Sequence, residues 1–143
     1  MTLEFHIPWT VEPKQSMRHR IIVDGTGRRY IASYTPAKVK ANSQTIASLV
    51  AQHRPRDPLS GPLRATYVLT YPWRSSTSQR ARKAGPMPKD TKPDCDNLGK
   101  NLSDTLQRSG FFANDSQIAD LRIVKQWGDQ AGVTVRLEGI QKG

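Results

Sequence analysis

A single cysteine, Cys95, stands among 143 residues. It excludes an internal disulfide framework and any zinc site built from several cysteines. Long apolar runs are missing too, since no stretch approaches the roughly 18 residues that a membrane span requires. The opening Met1-Thr2-Leu3-Glu4-Phe5 has neither the basic start nor the apolar core of a signal peptide. These absences predict a reduced, cytoplasmic protein without a membrane partner. Acids are scarce as well: 12 Asp and Glu face 22 Lys and Arg, a formal charge of +10 and a pI near 10.2. Such an excess points to a polyanion, because neutralising phosphates and releasing their counterions gives affinity independent of base sequence. The plainer role of the charge is solubility. At this length, with 36% hydrophobic residues, one domain spanning residues 1–143 and able to bury a core is expected.

What is present organises into short elements. Leu3, Phe5 and Ile7 alternate with Thr2, Glu4 and His6, the period of a half-buried strand. Residues Arg20 to Ile31 read as a hairpin around Asp24-Gly25-Thr26-Gly27, where the glycines serve the turn rather than a phosphate loop. Thr35-Pro36 is a helix start, followed by an apolar stripe of Val39, Ile46, Leu49 and Val50. Pro62 to Tyr71 alternates cleanly as a strand. Arg74 to Lys92 shows no period, and six basic residues there (Arg74, Arg80, Arg82, Lys83, Lys89, Lys92) oppose Asp90 alone. Long loops of this kind are functional or disordered, so the segment reads as a clamp for DNA phosphates or as a solvated linker.

A helix follows over Asn97 to Arg108, with Asp96 placed as its cap and Gly110 as its terminator. Leu98, Leu102, Thr105 and Leu106 form its apolar face; Asn97, Lys100, Asn101 and Asp104 lie opposite. Gln117 to Trp127 reads as a strand with Leu121 and Ile123 inward, and Val133, Val135 and Leu137 alternate in the last. The order β-β-β-α-β-loop-α-β-β predicts a small α/β (α+β) domain, a mixed β-sheet with two main helices.

Against so basic a background the acids Asp94, Asp96, Asp104 and Asp115 gather in one stretch. In an extended segment the side chains of Asp94 and Asp96 would project to one side, and a helix N-terminus favours anions. Magnesium takes hard oxygen ligands and leaves positions for phosphate. Asp115, in the turn Asn114-Asp115-Ser116, joins the same site if the next strand runs beside the start of the helix. Lys100, about one turn beyond Asp96, could stabilise charge on a phosphate or pair with Asp96 or Asp104 on the helix surface. Each acid also has a plain structural explanation, Asp96 as a cap and Asp115 as a turn former. His6, His19 and His53 lack ligand spacing. Trp9, Trp73 and Trp127 serve as packing residues more readily than as stacking platforms for bases.

The whole phrase carries more than its parts. Lys92-Pro93-Asp94-Cys95-Asp96-Asn97-Leu98, then Lys100, Asp104, Leu106, Gly110-Phe111-Phe112, Asn114-Asp115-Ser116-Gln117-Ile118 and Val124-Lys125 resembles the RusA family of Holliday junction resolvases. Ile7-Pro8-Trp9 is similar to that family's opening strand and turn. The resemblance implies a small homodimer that binds four-way DNA junctions and nicks them symmetrically with Mg²⁺, for which Mn²⁺ can substitute. It places the essential aspartates on Asp94, Asp96 and Asp115 and the essential lysine on Lys100. Pro93 and Cys95 depart from the pattern, Cys95 standing where an aliphatic residue is usual. Asp104 and Asp120 are extra acids, expected to form surface pairs or to support the metal ligands from behind rather than to ligate. The competing expectation is a non-catalytic nucleic-acid-binding protein, or a less selective nuclease for branched DNA.

Overall fold

The computed structural model describes residues 1–10, 18–34 and 37–141. In chain order the strands and helices are β1 (Thr2–Ile7), β2 (Arg18–Val23), β3 (Arg29–Tyr34), α1 (Ala37–Ala51), β4 (Leu63–Pro72), α2 (Gln79–Lys83), β5 (Met87–Pro88), α3 (Cys95–Arg108), β6 (Ile118–Gly128) and β7 (Gly132–Gly139). A 3₁₀ turn, Asp115–Gln117, leads into β6. The predicted cap Thr35-Pro36 lies outside the described residues.

Five strands form one sheet in the order β1-β7-β4-β6-β5, while β2 and β3 pair with each other. The sheet is mixed, as expected: β4 runs parallel to β6 and antiparallel to β7. Parallel neighbours need a long crossover, and here the crossover carries α2, β5 and α3. Alternation explains which face is covered. Leu63, Ala65, Tyr67, Leu69 and Tyr71 of β4 join Phe5 and Ile7 of β1 and Val133, Val135 and Leu137 of β7 in one core. Ile46 and Val50 of α1, Leu98, Leu102 and Leu106 of α3, and Phe111 and Phe112 close it.

Helix α3 lies close to the sheet because of Gly99. A Cβ at this position would overlap the Ile123 side chain and touch Leu121, so the helix weakness of glycine is exchanged for close packing on β6. Gly110, at φ +89°, ends the helix as predicted: Phe111 N–H returns to Leu106 O at 3.0 Å.

Four expectations are corrected. Asp94, not Asp96, is the N-cap of α3, and the helix begins at Cys95. Asn101 is buried rather than on the solvent face. Leu121 faces α3 as expected but is 45% exposed rather than buried, on a stretch of β6 whose outer edge is unpaired among the described residues, since Met87 and Pro88 reach only Trp127 and Gln126. The stretch Arg74 to Lys92 is not formless, since it holds α2, capped by Ser78, and the edge strand β5.

Candidate active site

Asp94 adopts an extended backbone (φ −76°, ψ 142°) and accepts from Leu98 N–H through its carbonyl at 3.1 Å. Its carboxylate makes no capping hydrogen bond. An N-cap aspartate ordinarily turns that group onto first-turn amides; here it stays available. Asp96 follows inside the first turn. The pair therefore does not share one side of a strand, as the sequence suggests, but one end of a helix, where the dipole and free N–H groups favour negative charge. Both carboxylates are exposed, as is Lys100. No hydrogen bond or ion pair among the described residues occupies any of these three side chains.

Asp115 is set by a separate network. Its N–H donates to Gln107 Oε1 at 2.8 Å. Asn114 Oδ1 accepts from Ser116 N–H at 2.9 Å, and Gln117 Oε1 accepts from the N–H groups of Ala113 and Asn114, both at 3.1 Å. The Gln117 amide then donates to Leu59 O and Gly61 O, at 3.1 and 3.0 Å. This turn is thereby tied to the start of β4 and to the later part of α3. Behind it the buried Tyr67 hydroxyl meets Ser103 Oγ at 2.9 Å. The Tyr67 phenol is pushed up to about 12, chiefly by burial, with the Asp115 charge adding to the effect.

Among the described residues no three His, Cys, Asp or Glu side chains form a group ready to hold an ion. The donor chemistry nevertheless suits a hard divalent cation. Two unengaged carboxylates at one helix end match the one or two that Mg²⁺ normally takes beside water and phosphate. The extra acids are committed elsewhere: Asp104 pairs with Arg108 at 2.9 Å and Asp120 with Arg64 at 2.8 Å.

The six basic candidates divide. Arg82 donates to Thr77 O and Arg74 O at 3.2 and 3.0 Å. Lys89 Nζ and Arg74 Cζ lie 4.0 and 4.6 Å from the centre of the Trp127 ring, and both cations reach Thr91 Oγ1, at 2.7 and 3.5 Å. Arg80, Lys83 and Lys92 are exposed and carry no internal partner among the described residues. Trp127 is thus a platform for cations, and Trp73 Nε1 donates to Asp129 Oδ1 at 2.7 Å. His53 stacks on Phe5 at 4.7 Å between ring centres, and His6 Nδ1 meets Thr134 Oγ1 at 3.0 Å. Sequence reasoning missed Gln107 and met Gln117 only as part of a motif, without the role of their side chains in carrying the Asp115 turn. It also missed the role of Lys125, which it met only as part of a motif.

The family model for endodeoxyribonuclease RusA matches residues 10–138. The chain belongs to the RusA endodeoxyribonuclease family. It is also 31% identical over 110 residues to "Uncharacterized protein YqaN" of Bacillus subtilis (strain 168), covering 73% of this chain and 77% of that protein. For a RusA chain the fold is as expected, a small mixed α+β domain, and no helix among the described residues is long and apolar enough to cross a membrane.

Proposed function

We propose that this RusA-family protein is a divalent-metal-dependent endonuclease that binds four-way DNA junctions in the cytoplasm and resolves them by paired nicks. The observation that carries the reading is the start of α3, where Asp94 leaves its carboxylate uncapped beside Asp96, with Lys100 one turn further on. Asp94 and Asp96 would hold Mg²⁺ or Mn²⁺, and Asp115, which forms no three-acid group with them among the described residues, would have to close on the bound ion to serve as the third carboxylate. The ion, when bound, supplies Lewis acidity and lowers the pKa of a water. Lys100 directs its ammonium to the phosphate oxygens as negative charge builds there. Arg80, Lys83 and Lys92 hold neighbouring phosphates, with Arg74, Arg82 and Lys89 adding positive potential from side chains held by internal contacts.

The nuclease works as a homodimer, since two opposed strands must be cut. The open edge of β6 supports this. Exposed Leu121 lies between Asp120 and Arg122, so two such edges paired antiparallel about Leu121 would set each Asp120 opposite the partner's Arg122. Asp120 already bonds Arg64 through one oxygen and retains the other.

The test uses a labelled mobile four-way junction, a matched duplex and a matched flap, each with and without Mg²⁺. Paired nicks confined to the junction are expected. Asp94→Asn lowers the nicking rate at least ~100-fold and leaves junction binding in EDTA equal or tighter, because a charge facing phosphate is removed. Absence of any Mg²⁺-dependent nicking by the unaltered protein would leave a non-catalytic junction binder as the answer.

A further inference from the structure

The geometry points to Lys125 as the residue that positions Asp94, an inference that rests on the metal-dependent reading above. We propose that its ammonium acts as an internal clamp on the chain entering α3 and is no contact for DNA. Lys125 stands on β6 and is half-buried. Its Nζ donates to Thr91 O and to Pro93 O, each at 2.6 Å. Two of three donors therefore grip the carbonyls on either side of Lys92, and the second belongs to the residue immediately before Asp94.

Other bonds fix the same stretch to the same part of β6. Lys89 N–H donates to Lys125 O at 3.1 Å, and Lys89 Nζ reaches Thr91 Oγ1 at 2.7 Å. The Lys89 ammonium also sits over Trp127, two residues beyond Lys125. The approach to Asp94 is thus tied to β6. This matters because Asp94 gets no help from its own side chain, which forms no capping bond. The direction of its carboxylate depends on the backbone, and the backbone depends on Lys125. A metal ligand left loose by about 1 Å is a familiar route to a hundredfold loss of rate, and residues that orient ligands are worth about 10–100-fold in metal affinity or activity.

Lys125→Met tests the clamp, with Lys125→Arg as the variant that keeps charge and donors. In metal-free protein, exchange of the Leu98 amide, which donates to Asp94 O, is expected to quicken about tenfold in the Met variant, the scale of one lost hydrogen bond. The Ser109 amide at the far end of α3, bonded to Thr105 O, stays unchanged. Mn²⁺ binding without DNA weakens about 10–100-fold and kcat falls, while KM for the junction and binding in EDTA hold within about twofold. Lys125→Arg falls between the two. Unchanged Leu98 exchange and Mn²⁺ affinity overturn the proposal, as does junction binding in EDTA that drops in step with nicking, which makes Lys125 a phosphate contact. Unaltered protein that binds no Mn²⁺ overturns the nuclease reading instead and removes the metal role of the clamp. That failure is recognised because Leu98 exchange still responds to the substitution.

Discussion

Two basic stretches of this molecule differ in how they are held. The β2–β3 hairpin carries Arg18, Arg20, Arg28 and Arg29, and among the described residues its strands pair only with each other. Its turn is fixed by Asp24, whose Oδ1 accepts from Thr26 N–H, Thr26 Oγ1–H and Arg28 N–H at 2.9, 2.6 and 3.0 Å. Ile21 and Val23 remain 70% and 59% exposed. The stretch from Arg74 to Lys92 is more basic, with six Lys and Arg, and it is fastened to the sheet by β5, by Lys125 and by the Trp127 ring. A count of charges does not reveal this difference. In the second stretch the contacts separate Arg74, Arg82 and Lys89, which have internal partners, from the exposed Arg80, Lys83 and Lys92, the last of which stands two residues before Asp94.

The largest way to break this contrast is Trp127→Ala. It removes the ring under Arg74 and Lys89, each cation worth about 0.5–2 kcal/mol there, along with half-buried apolar area. A loss of about 2–3 kcal/mol is expected in urea denaturation, with Arg74–Lys92 becoming as open to protease as an unanchored loop.

Replacing Arg80, Lys83 and Lys92 together by glutamine sharpens the contrast from the other side. Three phosphate contacts at ~0.9 each should reduce the slope of log K against log salt by about 2.7 and leave the melting temperature unmoved. Arg82→Gln should do the opposite, costing about 1 kcal/mol of stability through its two carbonyl bonds and little salt slope.

The smallest effect belongs to Asp24. The Thr26 hydroxyl, then the Thr26 and Arg28 amides, hold its carboxyl below the ordinary value of 3.8. The turn is therefore fully ordered above the ordinary carboxylate range and loosens as pH falls through the lowered value. Amide shifts of Thr26 and Arg28 should follow that single titration, and Asp24→Ala should abolish it without moving the global melting curve.

Much of this architecture was readable from the residues. β1, β4 and β7 were recognisable because each buries one face and alternates accordingly, and the apolar stripe of α3 because Leu98, Leu102 and Leu106 recur at helical spacing. The start of α3 was misplaced by two residues because Asp94 and Asp96 are both cap formers, and only backbone dihedrals distinguish a cap from a first-turn residue. Asn101 looked solvent-facing on a helical wheel, but α3 is covered more widely than its apolar stripe. Leu121 alternates like an inward residue and faces α3, yet it lies on a stretch of β6 that the short β5 does not reach, a property of a different segment. Lys125 and Gln117 act on carbonyls far away in sequence, at Thr91, Pro93, Leu59 and Gly61, and no local pattern encodes such reach. Around the start of α3, the residue types at Asp94, Asp96, Asp115 and Lys100 were visible in the sequence, whereas the bonds that Gln107, Gln117 and Lys125 make beside them were not.

The pairing of β1 with β7, from Thr2 opposite Glu138 to Ile7 opposite Val133, has a kinetic consequence. β1 leaves the ribosome well before β7 and must wait for it before it finds this neighbour. Until then Phe5 and Ile7 lack Val135 and Val133, the residues opposite them. Closure of so distant a pair slows folding, and a nascent protein stalled before β7 would offer an apolar surface to chaperones.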